Sequence, residues 1–344
     1  MHREKPLSKP ISIDCFLELD NAAASECLSS LEESLNSLLL SAANAKKLQR
    51  LSVEVRVVAP SDLDPRIENL VRRKFSDYPG VTSRLQKANG GYFESKNAAT
   101  EGAPGSYISF TDSDCTYESD YFVKLAQTIQ ENPEAVVYGI TFGRSPRTRF
   151  QRFSQYCWQF PPSTIGYGES FPQSQWANNL AVPQSLLERL PFPTIVLQNI
   201  RHFETKQERY LWHLEAETLG IRVVQGTMVC RHEQIPSLGA WFVRHWEHGK
   251  ARGLRVKSRC LGARINLRLA SLTGFTKRAK HLQALSKAGK LPSRHLAPAI
   301  MLLALGSTLK IMGFLRVILH NPDWVVTQPD RRNSGPLDKI GSAR

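Results

Sequence analysis

The chain has 344 residues, of which 41% are apolar, so it is long enough for one large domain or two of ordinary size. This length and apolar content exclude a wholly disordered chain and a small disulfide-stapled domain. The six cysteines form no CxxC pair or other metal-ligand spacing, which argues against a zinc module and suits a reducing compartment.

The net charge of +14 is concentrated in one region. Residues 241–320 hold sixteen Lys or Arg and a single acid, Glu247, whereas the first 240 residues are close to neutral. The charge therefore implies an anionic partner that binds this region of the chain, such as a membrane surface, a diphosphate or a nucleic acid. Residues 1–10 are polar and basic with no apolar run behind them, so we expect no signal peptide.

The first half of the chain alternates between predicted strands and helices. Strands are predicted at 11–17, 51–58, 107–110 and 135–142, and helices at 22–45, 67–75, 92–101 and 121–131. The order β-α-β-α-α-β-α-β predicts an α/β domain with a mostly parallel sheet flanked by helices. Ligands of such sheets bind beyond the carboxyl ends of the strands.

The second half is less regular. Residues 161–175 (PPSTIGYGESFPQSQ) are predicted to be a long loop of the kind that forms lids and binding sites. Helices are predicted at 183–189 and 205–219, with Gly220 ending the second, and a strand is predicted to begin at 221–224. The basic region and an apolar stretch at 296–319 follow, and the polar tail after Asp323 is expected to be disordered.

Asp112-Ser113-Asp114 directly follows the predicted strand at 107–110. Two carboxylates one residue apart can share Mg²⁺ or Mn²⁺, with diphosphate oxygens completing the coordination. Such an ion neutralises charge on a departing nucleoside diphosphate. A D-x-D in a turn is more often only turn chemistry, but its place at the end of a buried strand favours the metal-binding interpretation.

Two segments that lead up to and include this motif extend the pattern. Residues 90–99 read GGYFESKNAA, and residues 105–114 read GSYISFTDSD. Together they resemble the family 2 glycosyltransferases of the GT-A fold, which have a [KR]-N-x-G/A helix and then [YF]-[IV]-x-[FL]-x-D-[SA]-D. The resemblance extends more weakly from about residue 11 to about residue 253. It implies transfer of a sugar from a nucleotide-diphosphate donor to an acceptor hydroxyl, usually with inversion, and a divalent metal cofactor, Mg or Mn.

The resemblance also implies roles for individual residues. Those expected to bind the donor are Phe16, Glu18, Lys96, Asn97, Asp112, Ser113 and Arg252. Those expected to hold the metal are Asp112, Asp114 and His232, although a histidine at a strand end can equally be a packing residue. Those expected on the acceptor side are Trp176, Asn178, Asn179 and Trp212. The acceptor is expected to be a saccharide or a lipid-linked sugar in polysaccharide or glycolipid synthesis.

The chain departs from the family pattern at two places. In the acidic helix that carries the family's general base, Glu208 occupies the first acidic position but Arg209 occupies the second. We therefore expect Glu208 to be the base, with Glu204 as the fallback, against the alternative that Glu208 is a solvated helix residue. Ala59 stands where relatives have a nucleoside-binding Asp, which Glu18 or Asp62 could replace.

Two basic segments have alternative interpretations. Four arginines after the strand at 135–142 could meet a diphosphate-linked substrate, but a solvated loop is favoured; they are Arg144, Arg147, Arg149 and Arg152. The segment at 246–253 resembles a family segment whose cation, here Arg252, could reach the pyrophosphate.

The apolar stretch at 296–319 is long enough to cross a bilayer. Lys310, near its middle, would cost about 2.5–3.5 kcal/mol there, so a helix lying in the membrane interface is favoured over a spanning helix or a soluble packing helix. The expected organisation is a tail at 1–10, a GT-A domain at 11–240, a basic helical membrane-associating extension at 241–322 and a disordered tail at 323–344. The expected location is the cytoplasmic face of the plasma membrane.

Two other functions fit parts of the sequence. A catalytically degenerate family member would bind a nucleotide sugar without turnover, as Arg209 and Ala59 suggest. A nucleic-acid-binding protein could use the basic region, but that region lacks the interleaved aromatic residues on which bases stack, so nucleic acid is not the expected partner.

Overall fold

A computed structural model gives the structure of the protein. It describes residues 7–19, 28–87, 92–98, 100, 103, 105–157, 160–165, 178–192, 194–197, 212, 215–259, 270–319 and 324–327. This part of the chain contains an eight-stranded sheet, a separate two-stranded sheet, and helices that follow the larger sheet toward the carboxyl end of the chain.

The elements alternate along the chain much as predicted. The strands are β1 (Ile11–Glu18), β2 (Leu51–Ala59), β3 (Thr82–Lys87), β4 (Tyr107–Asp112), β5 (Cys115–Tyr117), β6 (Val136–Gly143), β7 (Asn179–Pro183), β8 (Thr194–Leu197), β9 (Val223–His232) and β10 (Trp324–Thr327). The helices are α1 (Leu28–Ala45), α2 (Pro65–Asp77), α3 (Tyr92–Ala98), α4 (Tyr121–Glu131), α5 (Arg149–Ser154), α6 (Gln184–Arg189), α7 (Leu238–Arg259), α8 (Ala270–Lys287) and α9 (Ser293–Leu319).

The large sheet has the order β3-β2-β1-β4-β7-β6-β9-β5. Its first four strands are parallel, β7 is antiparallel to both neighbours, β6 and β9 are parallel, and β5 is antiparallel to β9. The expected α/β class, with helices around a mostly parallel sheet and a helical extension, is confirmed. The carboxyl ends of β1, β2 and β4 lie side by side, where a ligand is expected.

Three strands of the large sheet escaped prediction. β3 is polar and half-exposed because it is an edge strand, and β5 has only three residues. β7 begins at Asn179, one of the asparagines predicted to face the acceptor. Gly220, with φ +67°, ends the helical residues 215–218 as predicted. Within the tail expected to be disordered, β10 instead pairs antiparallel with β8.

Side chains of the parallel strands alternate between two hydrophobic cores. Cys15 and Leu17 of β1 pack on the core that includes the buried faces of α1, α2 and α4. Phe16 points to the opposite core, where its ring lies 6.0 Å from that of Phe110 in β4. This layering holds the ends of β1 and β4 in a fixed position beneath the site described below.

Four cysteines in the described part of the chain are buried and free: Cys15, Cys115, Cys157 and Cys230. Burial raises the pKa of Cys15 and of Cys157 to about 12, so both are neutral thiols at physiological pH. The expectation of buried free thiols is confirmed for these four residues.

The helical extension is built on a close crossing of α7 and α9. A Cβ atom on Gly249 of α7 would lie 2.2 Å from the Lys310 carbonyl oxygen, and one on Gly313 of α9 would lie 2.3 Å from the Trp246 carbonyl oxygen. A third core, which includes Trp241 and Leu302, fills the space between these helices, α8 and the segment around α5. The two backbones can approach this closely only because the contact positions lack side chains.

We expect Gly249→Ala to lower the free energy of unfolding by about 1–3 kcal/mol, because the added methyl group must push the α9 backbone away. Gly239→Ala, in the first turn of the same helix, is the matched control, since the nearest atom to a Cβ there is 3.9 Å away. That control should be neutral or slightly stabilising through helix propensity. Chemical denaturation of both variants measures the difference, and equal effects would contradict the close crossing.

Candidate active site

The Asp112-Ser113-Asp114 motif lies in the turn between β4 and β5. Every residue of β4 is buried, as predicted from its apolar sequence. The Tyr117 hydroxyl fixes the turn, because it accepts the Asp112 backbone N–H at 2.9 Å and lies 3.2 Å from the Asp112 carbonyl oxygen, to which it can donate. The motif therefore has a defined backbone conformation at the carboxyl edge of the sheet.

Asp114 faces His232 across the β5–β9 strand pair. The antiparallel register places Cys115 opposite His232, and the Asp114 Oδ2 atom lies 3.2 Å from the His232 Nε2 atom. His232 Nδ1 is 2.7 Å from the Glu233 carbonyl oxygen, to which it donates in the neutral tautomer. The Phe160 ring stacks on the imidazole at a centroid distance of 4.4 Å. The ring is thus held with its Nε2 atom directed at a carboxylate.

This donor set fits a hard divalent cation. A lone pair facing a carboxylate is repulsive unless a proton or a cation lies between them, and a Nδ1–H bond to a carbonyl is the usual outer contact of a metal-bound imidazole. Cys115 Sγ lies within 4.8 Å of both ligand atoms, but burial raises the pKa of Cys115 well above its ordinary value, so it is a neutral thiol. The carboxylate oxygen suits Mg²⁺ or Mn²⁺, and of these two ions Mn²⁺ accepts the imidazole nitrogen more readily.

Two further polar atoms next to the motif are buried without a hydrogen-bond partner among the described residues. They are Ser113 Oγ and Asn178 Oδ1. Asn178 Nδ2 donates to Cys115 Sγ at 3.3 Å, which keeps this amide beside the motif. Buried polar atoms normally have partners, so these two mark a place where a polar ligand group can bind.

Asp112 has a different partner from Asp114. Its Oδ1 atom lies 3.5 Å from Nζ of Lys96, which is fully buried and sits 5.1 Å above the Phe110 ring centroid. A buried ammonium needs such a partner, so Lys96 and Asp112 balance each other's charge. The sequence predicted that both carboxylates of the motif hold the metal, whereas the structure groups Asp114 with His232 and pairs Asp112 with Lys96.

Glu18 is a second carboxylate at this edge of the sheet, next to Asp112. It ends β1, is fully buried, and lies in register with Asp112 on one side and Val58 on the other. Ala59, where relatives have an Asp, is buried at the end of β2, while Asp62 is exposed. Glu18 and Asp62 were the two carboxylates considered as substitutes for that Asp, and of these two Glu18 lies at the carboxyl edge of the sheet.

Four residues expected to contact the substrates have their contacts within the fold: Phe16, Asn179 and Trp212 are buried, and Asn97 is half-buried. Asn97 uses both ends of its amide on the Phe192 backbone, at 2.7 and 2.8 Å, and Phe16 lies in the core described above. Asn179 donates to the Ile140 carbonyl oxygen at 3.1 Å. Trp212 is fully buried and donates its indole N–H to the Leu190 carbonyl oxygen at 2.7 Å. Phe16 is occupied by core packing, and the polar groups of the other three residues already have hydrogen-bond partners within the protein.

Several other expected residues cannot be placed. Glu208, Glu204, Arg209 and Trp176 lie outside the described residues. Arg252 belongs to α7, but its side chain is outside the described part of the chain.

The interpretation of Arg144 as part of a solvated loop is wrong, although Arg147, Arg149 and Arg152 are exposed. Arg144 is 7% exposed and donates to Glu33 at 3.1 Å and to Ser30 at 3.0 Å, both on α1. Its Nε donates to the Arg231 carbonyl oxygen at 3.2 Å, and Ser30 also bonds to Glu233. No local sequence pattern predicts this network, which ties α1 to the strand end that carries His232.

Comparison with known proteins agrees with this architecture. Residues 25–176 match the model of the family "Glycosyl transferase family 2". No curated protein sequence matches the chain. Among solved structures, the mannosyltransferase PcManGT from Pyrobaculum calidifontis, in complex with GDP-Man and Mn²⁺, has a TM-score of 0.54 at 17% identity, covering 93% of this chain and 92% of that one. S. aureus TarS 1–349 in complex with UDP-GlcNAc has a TM-score of 0.45 at 13% identity, covering 93% and 97%.

The family match covers the segment from α1 through the motif to the residues shortly before β7. It includes Asp112 and its partner Lys96. The mannosyltransferase likeness extends over almost the whole chain and supports the GT-A fold independently of that segment. On these two findings, residues 25–176 carry the glycosyl transferase family 2 pattern, and the chain has the fold of a GT-A glycosyltransferase.

Proposed function

We propose that this glycosyltransferase is metal-dependent and moves a sugar from a nucleotide-diphosphate donor to an acceptor hydroxyl. The observation that carries the proposal is the orientation of His232, whose Nδ1 atom bonds the Glu233 carbonyl oxygen while Nε2 faces the Asp114 carboxylate at 3.2 Å. Asp114 and His232 are the proposed ligands of Mg²⁺ or Mn²⁺. When bound there, such an ion supplies electrostatic stabilisation for the diphosphate leaving group.

The surrounding residues position the donor. Lys96 supplies a buried positive charge that holds Asp112 at the edge of the sheet. Ser113 Oγ and Asn178 Oδ1 are available to hydrogen-bond polar groups of the donor. Glu18, at the end of β1, is the proposed contact of the nucleoside. The layered cores beneath β1 and β4 keep these groups in place without a ligand, so little reorganisation is needed on binding.

The proposed reaction is a single in-line displacement at the anomeric carbon, which inverts its configuration. Glu208 is the proposed base that removes the proton from the acceptor hydroxyl, on the family resemblance alone. Among donor classes, GDP-mannose is a first candidate, because the solved mannosyltransferase of similar fold was obtained with GDP-Man and Mn²⁺. The proposed acceptor is a saccharide or a lipid-linked sugar, and the proposed location is the cytoplasmic face of the plasma membrane.

A thermal-shift screen tests the proposal. UDP-, GDP-, CDP- and dTDP-sugars are each tested with Mn²⁺, with Mg²⁺ and with EDTA. We expect one nucleotide class to raise the Tm with a metal present, as ligand binding to the native state requires, and we expect EDTA to remove the shift. The absence of any metal-dependent shift across the screen would overturn the proposal.

Turnover assays on the donor that binds distinguish an active enzyme from a degenerate one. A product whose anomeric configuration, read by NMR, is opposite to that of the donor supports the single displacement. Binding without transfer to any acceptor hydroxyl or to water would favour the degenerate alternative.

A further inference from the structure

One face of α9 presents a continuous row of exposed apolar side chains. Its members recur at intervals of four and three residues, so they lie on one line along the helix. They are Met301, Leu305, Thr308, Met312, Leu315 and Leu319, and all but the threonine are large and apolar. Met301, Met312 and Leu319 are 64%, 51% and 74% exposed. We call these six residues the α9 stripe.

A stripe of this size is unusual on a protein surface that faces only water, because scattered apolar residues are common but long contiguous rows are not. The helix is also the one segment of the described chain with the length and composition needed to cross a membrane. Length and composition alone do not say whether such a helix crosses a bilayer or lies along it.

The packing of α9 favours the second arrangement. Its other side is held against α7 along most of its length, through the contacts of Gly306 with His245 and of Gly313 with Trp246. α7 itself carries five cations between Lys250 and Arg259. A bilayer-spanning α9 would either break this crossing or draw those cations into the hydrocarbon, which is costly. The stripe stays accessible to lipid while the crossing is kept.

Charge around the stripe indicates which surface it meets. Arg294 lies in line with the stripe at its beginning, and Arg316 borders it near its end; both are exposed. Four exposed lysines belong to α8 and the turn after it: Lys277, Lys280, Lys287 and Lys290. The only acid in residues 241–320, Glu247, is paired with Lys250 at 2.9 Å. Apolar residues flanked by exposed cations on the same helix, in a region with a single acid, are complementary to an anionic phospholipid surface.

We propose that α9 lies flat on an anionic phospholipid bilayer with the α9 stripe inserted among the lipids and the α7–α9 crossing intact. This inference does not rest on the proposed function, because it uses none of the residues of the candidate active site. It differs from a spanning helix in that one helical face enters the membrane and α7 stays on the water side.

Vesicle flotation of the full chain tests the proposal. The vesicles are phosphatidylcholine with 30% phosphatidylglycerol in one arm and phosphatidylcholine alone in the other. We expect binding to the anionic vesicles to be stronger, to fall at high salt, and to be reversed by alkaline carbonate, which leaves spanning proteins in the membrane. Met312→Glu should weaken the binding by roughly tenfold or more, since it replaces an inserted apolar side chain by a carboxylate.

Leu219→Glu is the matched control, because Leu219 is 52% exposed but lies in the catalytic domain. It should bind vesicles like the wild type. Circular dichroism and a nucleotide thermal shift, both without vesicles, report whether Met312→Glu is folded and whether its donor site is intact. Equal vesicle binding by the wild type and Met312→Glu, or resistance to carbonate, would overturn the proposal. So would a wild-type dimer in solution that Met312→Glu dissociates while no vesicle binding occurs, since a second copy would then cover the stripe.

Discussion

Replacement of Asp114 by alanine is expected to lower the transfer rate by roughly a thousandfold or more, because a metal that stabilises the leaving group contributes several kcal/mol to the transition state. The Asp114 side chain faces His232 Nε2 at 3.2 Å and is more accessible than Asp112, with side-chain exposures of 19% and 5%. The loss should appear in kcat as well as in donor affinity. Initial rates over a range of Mn²⁺ concentrations measure both.

The structure supplies a control and a comparison for this variant. Asp77→Ala removes an exposed carboxylate that pairs with Lys74 at the surface and should leave the rate unchanged. Asp112→Ala should also reduce the rate, but it leaves Lys96 buried without its carboxylate partner, so we expect a loss of stability that Asp114→Ala lacks. An Asp114→Ala enzyme with wild-type rates and metal dependence would contradict the assignment of this residue.

Replacement of Arg56 by alanine is expected to have the largest effect on stability, about 3–5 kcal/mol of the free energy of unfolding. Arg56 and Asp14 are both almost fully buried, and their side chains form an ion pair of 2.8 Å between β1 and β2. Asp14 also accepts the Gly105 N–H at 3.0 Å, which links the pair to the loop before β4. Loss of the guanidinium leaves a buried carboxylate without its cation. Urea denaturation measures the change.

The pH dependence of this variant follows from the same contacts. Burial raises the pKa of Asp14, and both the Gly105 hydrogen bond and Arg56 oppose that rise. A raised pKa in the folded state stabilises the protein at low pH, and that contribution is lost as the pH rises through the folded-state pKa. Removal of Arg56 raises the pKa further, so the deficit of Arg56→Ala relative to wild type should be smaller at pH 5 than at pH 8. If Arg56→Ala unfolded with nearly the wild-type free energy at both pH 5 and pH 8, that result would contradict a buried ion pair.

Much of the fold follows from local sequence patterns, and the exceptions have physical causes. Alternating apolar residues predicted β2, and helical spacing of leucines predicted α1. β3 and β5 were missed because an edge strand or a three-residue strand is defined by its neighbour and not by its own composition. The pairing of β5 with β9 is a long-range contact, so no local pattern announces it.

The same distinction explains the candidate site. The strand-end position of Asp114 was predictable from the motif, and His232 was proposed from its place after a strand. The contact between these two side chains depends on the β5–β9 register. The contact of Asp112 with Lys96 depends on the position of helix α3, which carries Lys96. Asn97 and Trp212 were assigned to substrates by residue type, but residue type does not say which side of an element a side chain occupies. The Asn97 amide and the Trp212 indole N–H instead hydrogen-bond backbone groups of Phe192 and Leu190, which directly follow α6.

Pulsed electron paramagnetic resonance of the Mn²⁺-loaded protein tests the central claim most directly, because it detects a coordinated imidazole through its nitrogen nucleus. We expect nitrogen modulation from the bound Mn²⁺ in the wild type, its loss in His232→Gln, and its retention in His281→Gln, which alters a histidine on α8. Asp114→Ala should weaken Mn²⁺ binding itself. Absence of nitrogen modulation from tightly bound Mn²⁺ in the wild type, or its persistence in His232→Gln, would contradict a metal site built on Asp114 and His232.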